Sequence, residues 1–292
     1  MKIGLFGNKF TESFDAVVYH LLKRLSKTNV EITIHKAFYD FLVDDKKYAF
    51  EFPKFFNSEK DLSHDLDFII SIGGDGTFLQ TVNLVRESGI PIVGFNSGRL
   101  GFLANISSSG IDKALDDLLH KNYEIEHRSL VGLTCNECLF GDFNYALNEV
   151  TIQKTTSSLI TIHTYINDIF LNSYWTDGLI ISTPTGSTAY SLSVGGPIVT
   201  PNSQNFIISP IAPHNLNVRP IIIPDSSVLR LKVEGRTSNY NITLDSRSAI
   251  IETGTEITVR KSPFQINLIK FNSIDYFSTL RNKLMWGADK RN

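Results

Sequence analysis

Residues 67–95 read DFIISIGGDGTFLQTVNLVRESGIPIVGF, and this stretch decides the fold of the first part of the chain. DFIISI (67–72) is a short, almost wholly apolar run, as a buried strand is. Phe78, Leu79, Val82 and Val85 then recur at spacings that share one face of a helix. Gly89 stops that helix, and IPIVGF (90–95) is the next strand. Strand, helix and strand over this length predict a βαβ unit, hence a parallel sheet with a right-handed crossover. Between the first strand and its helix stands Gly73-Gly74-Asp75-Gly76. A connection that only had to turn would not need an acid among three glycines.

The pattern extends outward from this unit. KIGLFG (2–7) and VEITIHK (30–36) read as strands, and Phe14, Val17, Val18, Leu21, Leu22 and Leu25 form a helical face between them. Residues 44–65, DDKKYAFEFPKFFNSEKDLSHD, are charged, aromatic and interrupted by Pro53, and read as a surface excursion. Ile111, Ala114, Leu115, Leu118 and Leu119 mark another helix. Beyond about residue 122 the style changes to short runs rich in β-branched and aromatic residues, such as LITIHTYIND and TEITVRK, with hairpin turns at 166–168 and 253–255. The expected fold is an α/β N-terminal domain with a Rossmann-like parallel sheet (1–122) and an all-β, sandwich-like C-terminal domain (123–272). A helical tail (273–292) follows.

Composition narrows the function classes. With 292 residues, 42% hydrophobic and 20% charged, the chain has the make-up of an ordinary globular protein of about two domains. A net charge of −2 argues against a nucleic-acid surface. No apolar run approaches the roughly 18 residues of a membrane span, and the N-terminus reads as a strand rather than a signal peptide. A cytoplasmic location is the expectation. The two cysteines, Cys135 and Cys138, lack a second pair to complete a zinc site and read as reduced, structural thiols.

Glycines at 73, 74 and 76 let a ligand approach bare backbone, and Thr77 can cap the helix whose N-terminus attracts anions. These four residues make a candidate phosphate loop. An acid there repels phosphate unless it accepts a proton, hydrogen-bonds a ribose hydroxyl or helps hold Mg²⁺. The plainer reading is that Asp75 caps its own helix. A second loop, STPTGSTAYSLSVGGP (182–197), is too rich in hydroxyls and glycine to be a strand. Its Tyr190 offers an aromatic face to a base, and Asp177-Gly178 lies just upstream. In LNEV (147–150), Asn148 and Glu149 place polar groups within an apolar strand pattern, which is costly without partners.

Together GGDGTFL, NEV, DGLIISTPTGSTAYSLSVGGPI and PIAPHNLNVRPIIIP closely resemble, in order and spacing, the signature segments of the bacterial ATP-NAD kinase family. GFNSGRLGFLA (94–104) is similar to a further family segment. A lone GGDG is shared with lipid kinases and phosphofructokinases; the TPTGSTAYSLS segment is not. The resemblance implies a site between two domains, and transfer of the terminal phosphoryl of ATP to the 2′-hydroxyl of the adenosine ribose of NAD, giving NADP. It implies Asp75 as proton acceptor, with Gly76 in the same site. The NAD-binding positions it implies are Asn148, Glu149, Asp177, Thr188, Ala189, Tyr190, Ser191, Leu192, Ser193 and Ala212. It also implies a cytoplasmic homo-oligomer, commonly a tetramer, that needs a divalent cation. Mg²⁺ carried by the nucleotide phosphates suits a sequence without a dedicated acid cage. Two positions depart from the family's pattern: Trp175-Thr176 before Asp177, and Arg247 after Leu-Asp-Ser, where relatives often carry Gln. The rival readings are a lipid or diacylglycerol-type kinase sharing GGDG, and a non-catalytic NAD-sensing module.

Overall fold

The computed structural model describes residues 1–96, 101–137 and 139–287. Ser97–Leu100 of the GFNSGRLGFLA segment and Cys138 lie outside the described residues. The chain forms two compact units, Met1–His127 with Ile266–Asn292, and Arg128–Gln265.

The first unit is built on five parallel strands, β1 (Lys2–Gly7), β2 (Glu31–His35), β3 (Lys54–Phe56), β4 (Phe68–Ile72) and β5 (Ile92–Phe95), in the order β3-β2-β1-β4-β5. β4 and β5 are buried at every residue, which is why their sequences are continuous apolar runs rather than alternating ones. Helices α1 (Glu12–Leu25), α2 (Lys36–Asp40) and α3 (Asp75–Val85) lie between successive strands, and α4 (Ile111–Leu119) follows β5. Phe14, Val18, Leu21 and Leu22 of α1 share one core with Ile111, Ala114, Leu115 and Leu118 of α4. α3 packs on β5, where a Cβ on Gly94 would lie 3.0 Å from Phe78. The strand order reverses between β1 and β4, so the carboxyl ends of these two strands form the switch point at which open α/β sheets take their ligands.

Residues 44–65 are mostly exposed, as a surface excursion is, but they also contribute an edge strand and buried side chains. Phe56 is fully buried on β3, and Tyr48, Phe52 and Leu62 are buried as well, while Phe55 stays exposed. The charged residues between them mask these four buried positions from periodicity.

The second unit holds two antiparallel layers. One contains β8 (Glu149–Lys154), β11 (Gly178–Ser182), β12 (Asn205–Ile211), β13 (Ile221–Pro224), β15 (Asn239–Leu244) and β16 (Arg247–Glu252), in the order β13-β12-β11-β8-β15-β16. The other contains β9 (Ile160–Ile166), β10 (Ile169–Thr176), β14 (Leu229–Gly235) and β17 (Glu256–Lys270), flanked by β6 (Glu124–Thr134) and β7 (Tyr145–Ala146). Val150, Ile152, Leu179, Ile181 and Ile208 from the first layer and Ile162, Leu229, Leu231, Ile257 and Val259 from the second form one core. Of the two predicted hairpin turns, the one at 166–168 joins the paired strands β9 and β10, with positive φ at Asn167 and Asp168, whereas the turn at 253–255, with positive φ at Gly254, carries the chain from β16 in one layer to β17 in the other and closes no hairpin. The small-residue loop carries a 3₁₀ turn at Thr185–Thr188 and a short helix, α5 (Tyr190–Ser193). β17 returns the chain to the first unit, where Leu268 pairs with Ile92. The last element, α6 (Tyr276–Leu284), begins at an Asp275 cap whose side chain accepts the Ser278 N–H at 2.8 Å.

Candidate functional site

In the first unit the candidate residues collect at the carboxyl end of β4. α3 starts at Asp75, with Gly74 as its N-cap. Thr77 is therefore not the cap: it lies inside the first turn, buried, with its hydroxyl 3.3 Å from the Asn8 amide that follows β1. Gly73 is glycine for a steric reason, since a Cβ there would sit 2.3 Å from Thr77 Oγ1. Gly74 and Gly76 differ, because a Cβ on either would meet nothing within 4 Å among the described residues. No packing against these residues calls for glycine at the two positions; their bare backbone leaves the start of α3 open to a ligand.

Asp75 does not cap its own helix. Its carboxylate turns to residues 102–104 and accepts the backbone N–H groups of Phe102, Leu103 and Ala104, each at 3.0 Å. Gly101 makes room for it, since a Cβ there would lie 2.0 Å from Asp75 Oδ1. A fourth donor, the Lys283 ammonium from α6, stands 3.3 Å from Oδ2. The acid among glycines is thus half-exposed, aimed across the turn and held by a row of amides. Asn8, which also donates to Gln80 at 2.8 Å, and Lys283 carry no local sequence signal that would have marked them.

In the second unit, Asn148 and Glu149 come together with the 182–193 loop. Asn148 is not mid-strand; it lies in the break between β7 and β8, which begins at Glu149. The break has a cause. Asp245, at the β15–β16 turn, accepts the N–H groups of Leu147 (2.8 Å), Asn148 (2.8 Å) and Glu149 (3.2 Å), in place of ladder partners. From the other side, Thr183 N–H donates to the Asn148 carbonyl at 2.8 Å, and the Thr183 hydroxyl to the Leu147 carbonyl at 2.6 Å. A Cβ on Gly186 would lie 2.2 Å from that same Asn148 oxygen, so only glycine lets the loop close here.

Glu149 is 8% exposed, and its Oε2 has no hydrogen-bond partner among the described residues. Burial pushes its carboxyl up to about 8, the Asp245 charge adds to this, and the Tyr190 N–H opposes it. Burial raises Asp245 too, but three amides and the field of Arg247 hold it toward the charged form.

The loop residues are divided between support and exposure. Ser187 and Ser191 are fully buried, bonding Val199 and Ser209. Tyr190 and Ser193 are exposed, while Thr188, Ala189 and Leu192 are partly exposed. Asp177 and Ala212 lie elsewhere. They flank the opposite end of β11, where Asp177 N–H donates to the Ile211 carbonyl and Lys154 pairs with the Asp177 carboxylate at 2.6 Å. Ser182 pairs with Glu149 across the strands, so five residues of β11, roughly 17 Å, separate Asp177 from that pair. Ala212 has φ 45°, an uncommon conformation for a residue with a Cβ.

The two departures are accounted for locally. Arg247 donates to the carbonyls of Phe143 (2.6 Å) and Tyr145, and its guanidinium lies over the Phe143 ring at 5.2 Å. It braces the segment leading to Asn148. Trp175 is half-exposed on β10 against His214, with ring centroids 5.1 Å apart. Among the described residues no group of three or more His, Cys, Asp or Glu converges as a metal set. No described helix is long and apolar enough to cross a membrane.

Comparison with known proteins places these residues in context. A family model described as the ATP-NAD kinase N-terminal domain matches residues 3–123, and one described as the ATP-NAD kinase C-terminal domain matches residues 147–271. The chain is 48% identical to an NAD kinase of Flavobacterium psychrophilum over 295 residues, covering 100% of both. It is 46% identical to an NAD kinase of Cytophaga hutchinsonii, again over 100% of both chains. Among solved structures it resembles a yeast NADH kinase complexed with NADH, with TM-score 0.86 and 23% identity over 99% of this chain and 89% of that one. It also resembles an NAD kinase from Archaeoglobus fulgidus in complex with ATP, with TM-score 0.73 and 25% identity over 98% and 99%.

Proposed function

The chain belongs to the ATP-NAD kinase family, kinases that transfer phosphate from ATP to NAD, and on that premise we propose how its residues divide the work. The acceptor is the 2′-hydroxyl of the adenosine ribose. Its oxygen attacks the terminal phosphorus of ATP, the bond to the β-phosphate oxygen breaks, and ADP leaves with that electron pair. Asp75 receives the hydroxyl proton on a carboxylate oxygen. A secondary hydroxyl is a weak nucleophile at neutral pH, so a fixed carboxylate against it raises the rate by about 10²–10⁴.

One observation carries this reading. Asp75 stands at the sheet's switch point, held by three amides, beside two glycines whose missing side chains leave the helix start clear. Gly74, Gly76 and the first amides of α3 then receive phosphate oxygens, while Gly73 and Thr77 shape the turn. Asn148 and Glu149 hydrogen-bond the dinucleotide, and Thr188, Ala189, Tyr190, Leu192 and Ser193 line its path, while the buried Ser191 supports the loop from beneath. Asp177 and Ala212 contact NAD at their own end of β11. Magnesium enters as MgATP, a substrate: the one carboxylate at the turn has its oxygens engaged, and among the described residues no set of acids converges to form a cage.

We place the enzyme in the cytoplasm as a homo-oligomer, a tetramer by family habit. Support comes from the edge strand β10, where Ile169, Phe170 and Trp175 are 74%, 55% and 52% exposed. The test of the catalytic reading is Asp75→Asn, assayed with ATP, Mg²⁺ and NAD⁺ and read as NADP⁺. Turnover falls by about 10²–10⁴ if Asp75 is the base. A folded variant with near-normal turnover returns Asp75 to a turn residue.

A further inference from the structure

The Asp75 carboxylate presents a problem that its role as base must solve. Two carboxylate oxygens offer about four acceptor positions. Here Oδ1 takes the Leu103 and Ala104 amides, and Oδ2 takes the Phe102 amide and the Lys283 ammonium. The amides belong to the backbone and cannot leave without moving the loop. Lys283 can: its contact is the longest of the four, it is a side chain on four rotatable bonds, and both it and Asp75 are 31% exposed.

The position of Lys283 is itself constructed. Its ammonium lies 4.6 Å from the centroid of the Phe102 ring, close enough for a cation–π contact. Phe102 in turn packs on Tyr276, with ring centroids 6.4 Å apart. Tyr276 and Lys283 are seven residues apart on α6, two turns, so they fall on one face of the helix. α6 is anchored by the buried Leu280 and Thr279 and by its Asp275 cap. The helix thus grips Phe102, whose own N–H is one of the Asp75 donors, and reaches Asp75 directly.

We propose that Lys283 is a positioning residue for phosphoryl transfer: it holds Oδ2 of Asp75 in place in the free enzyme and yields that position to the acceptor hydroxyl. The proposal rests on the reading of Asp75 as the base. When the hydroxyl arrives, the ammonium swings from Oδ2 while staying over Phe102. The vacated lone pair accepts first the hydrogen bond and then the proton. No bond to Lys283 is made or broken.

The magnitude separates this role from that of the base. A half-exposed ion pair contributes about 0.2–1 kcal/mol, at most about fivefold, and because the contact is given up before the proton moves its removal shows in the Michaelis constant for NAD⁺, not as the roughly hundredfold or larger loss of turnover expected for Asp75. Lys283→Met keeps the stem over Phe102 and removes the charge. The expected result is a Michaelis constant for NAD⁺ lower by up to about fivefold because a competitor for Oδ2 has gone, turnover that is not reduced, and a constant close to the parent's in Lys283→Arg. In an Asp75→Asn background, Lys283→Met changes the constant no further, because the charge through which it acts is already lost.

An unchanged or higher Michaelis constant for NAD⁺ in Lys283→Met overturns the proposal, and so does a loss of turnover as large as that of Asp75→Asn. A lowered constant that persists in full in the Asp75→Asn background also overturns it, because Lys283 then acts on something other than the carboxylate. A rise in the Michaelis constant for ATP alone assigns Lys283 to the ATP phosphates and has the same meaning. A thermal midpoint that drops with no change in the constant assigns Lys283 to helix docking only. Should Asp75→Asn itself keep its turnover, the reading of Asp75 fails and the proposal with it; should Asp75→Asn lose turnover while Lys283→Met leaves the constant unchanged, only the proposal fails.

Discussion

Replacing Glu149 by Gln is expected to stabilise the protein, and to do so only above the pH at which a free glutamate ionises. The Glu149 carboxyl, ordinarily at 4.5, is pushed up to about 8 by burial and by Asp245. Between these values the folded chain holds a proton that the unfolded chain has released. Stability tied to this group is therefore full below about pH 4.5 and is lost as pH rises through about 8. At about 1.4 kcal/mol per pH unit across that window, roughly 3 kcal/mol is already lost at pH 7 and on the order of 5 above pH 9. Gln has the shape of the neutral acid and does not ionise, so Glu149→Gln avoids this loss. For a unit of this size the pH 7 difference corresponds to roughly 10 °C in thermal midpoint. Calorimetric melts of the full chain at pH 5, 7 and 8.5 measure it. The expected result is near coincidence at pH 5 and a gap that widens with pH in favour of the variant. Two parallel curves of midpoint against pH would show that Glu149 ionises without penalty and refute the argument from its burial.

Gly101→Ala forces a Cβ to within 2.0 Å of Asp75 Oδ1, so the carboxylate must move; turnover falls by about 10²-fold with the fold intact by circular dichroism, and unchanged turnover would mean the carboxylate has room. Asp245→Ala removes the acceptor for three amides, so the melting curve shifts by about 2–4 kcal/mol and the Michaelis constant for NAD⁺ rises; an unaltered constant would separate Asp245 from the placement of Asn148. Arg247→Gln loses two carbonyl contacts, so it costs roughly 1–3 kcal/mol of stability, read as a lower thermal midpoint, and leaves NAD⁺ use nearly unchanged. Asn148→Ala weakens NAD⁺ use by about 0.5–1.5 kcal/mol, read as a higher Michaelis constant, and identical kinetics would remove Asn148 from the site.

How much could be read beforehand followed the range of the interactions. The β4 turn and α3 were legible because the change from strand to helix periodicity is local, and the glycines at the turn mark where a ligand can approach. The resemblance to the kinase family rested on contiguous segments and so survived intact. What failed involved partners distant in sequence. Asn148 looked like a polar residue in a strand because nothing near it announces Asp245, whose carboxylate interrupts the ladder from 97 residues away. Thr77 looked like a cap because threonine commonly is one; the helix instead begins two residues earlier, at Asp75. The direction of the Asp75 side chain was likewise hidden, because its amide partners lie 27–29 residues on and its lysine 208. In residues 44–65, charge and Pro53 concealed an edge strand whose buried rings have no regular period.

The first unit is discontinuous in the chain, and this bears on how the protein is made. Ile269 and Phe271 belong to the same core as α1 and α4, yet they follow the whole of the second unit. At about 5–20 residues per second, the ribosome delivers residue 266 roughly 7–30 s after residue 127. During that interval the N-terminal sheet waits with part of its core unfilled, and the Asp75 carboxylate lacks the helix that reaches it. A nascent or prematurely terminated chain is then an incomplete catalyst that exposes apolar surface, a form that chaperones and proteases recognise. Delivery of the segment from residue 266 onward and assembly of the catalytic turn become a single event.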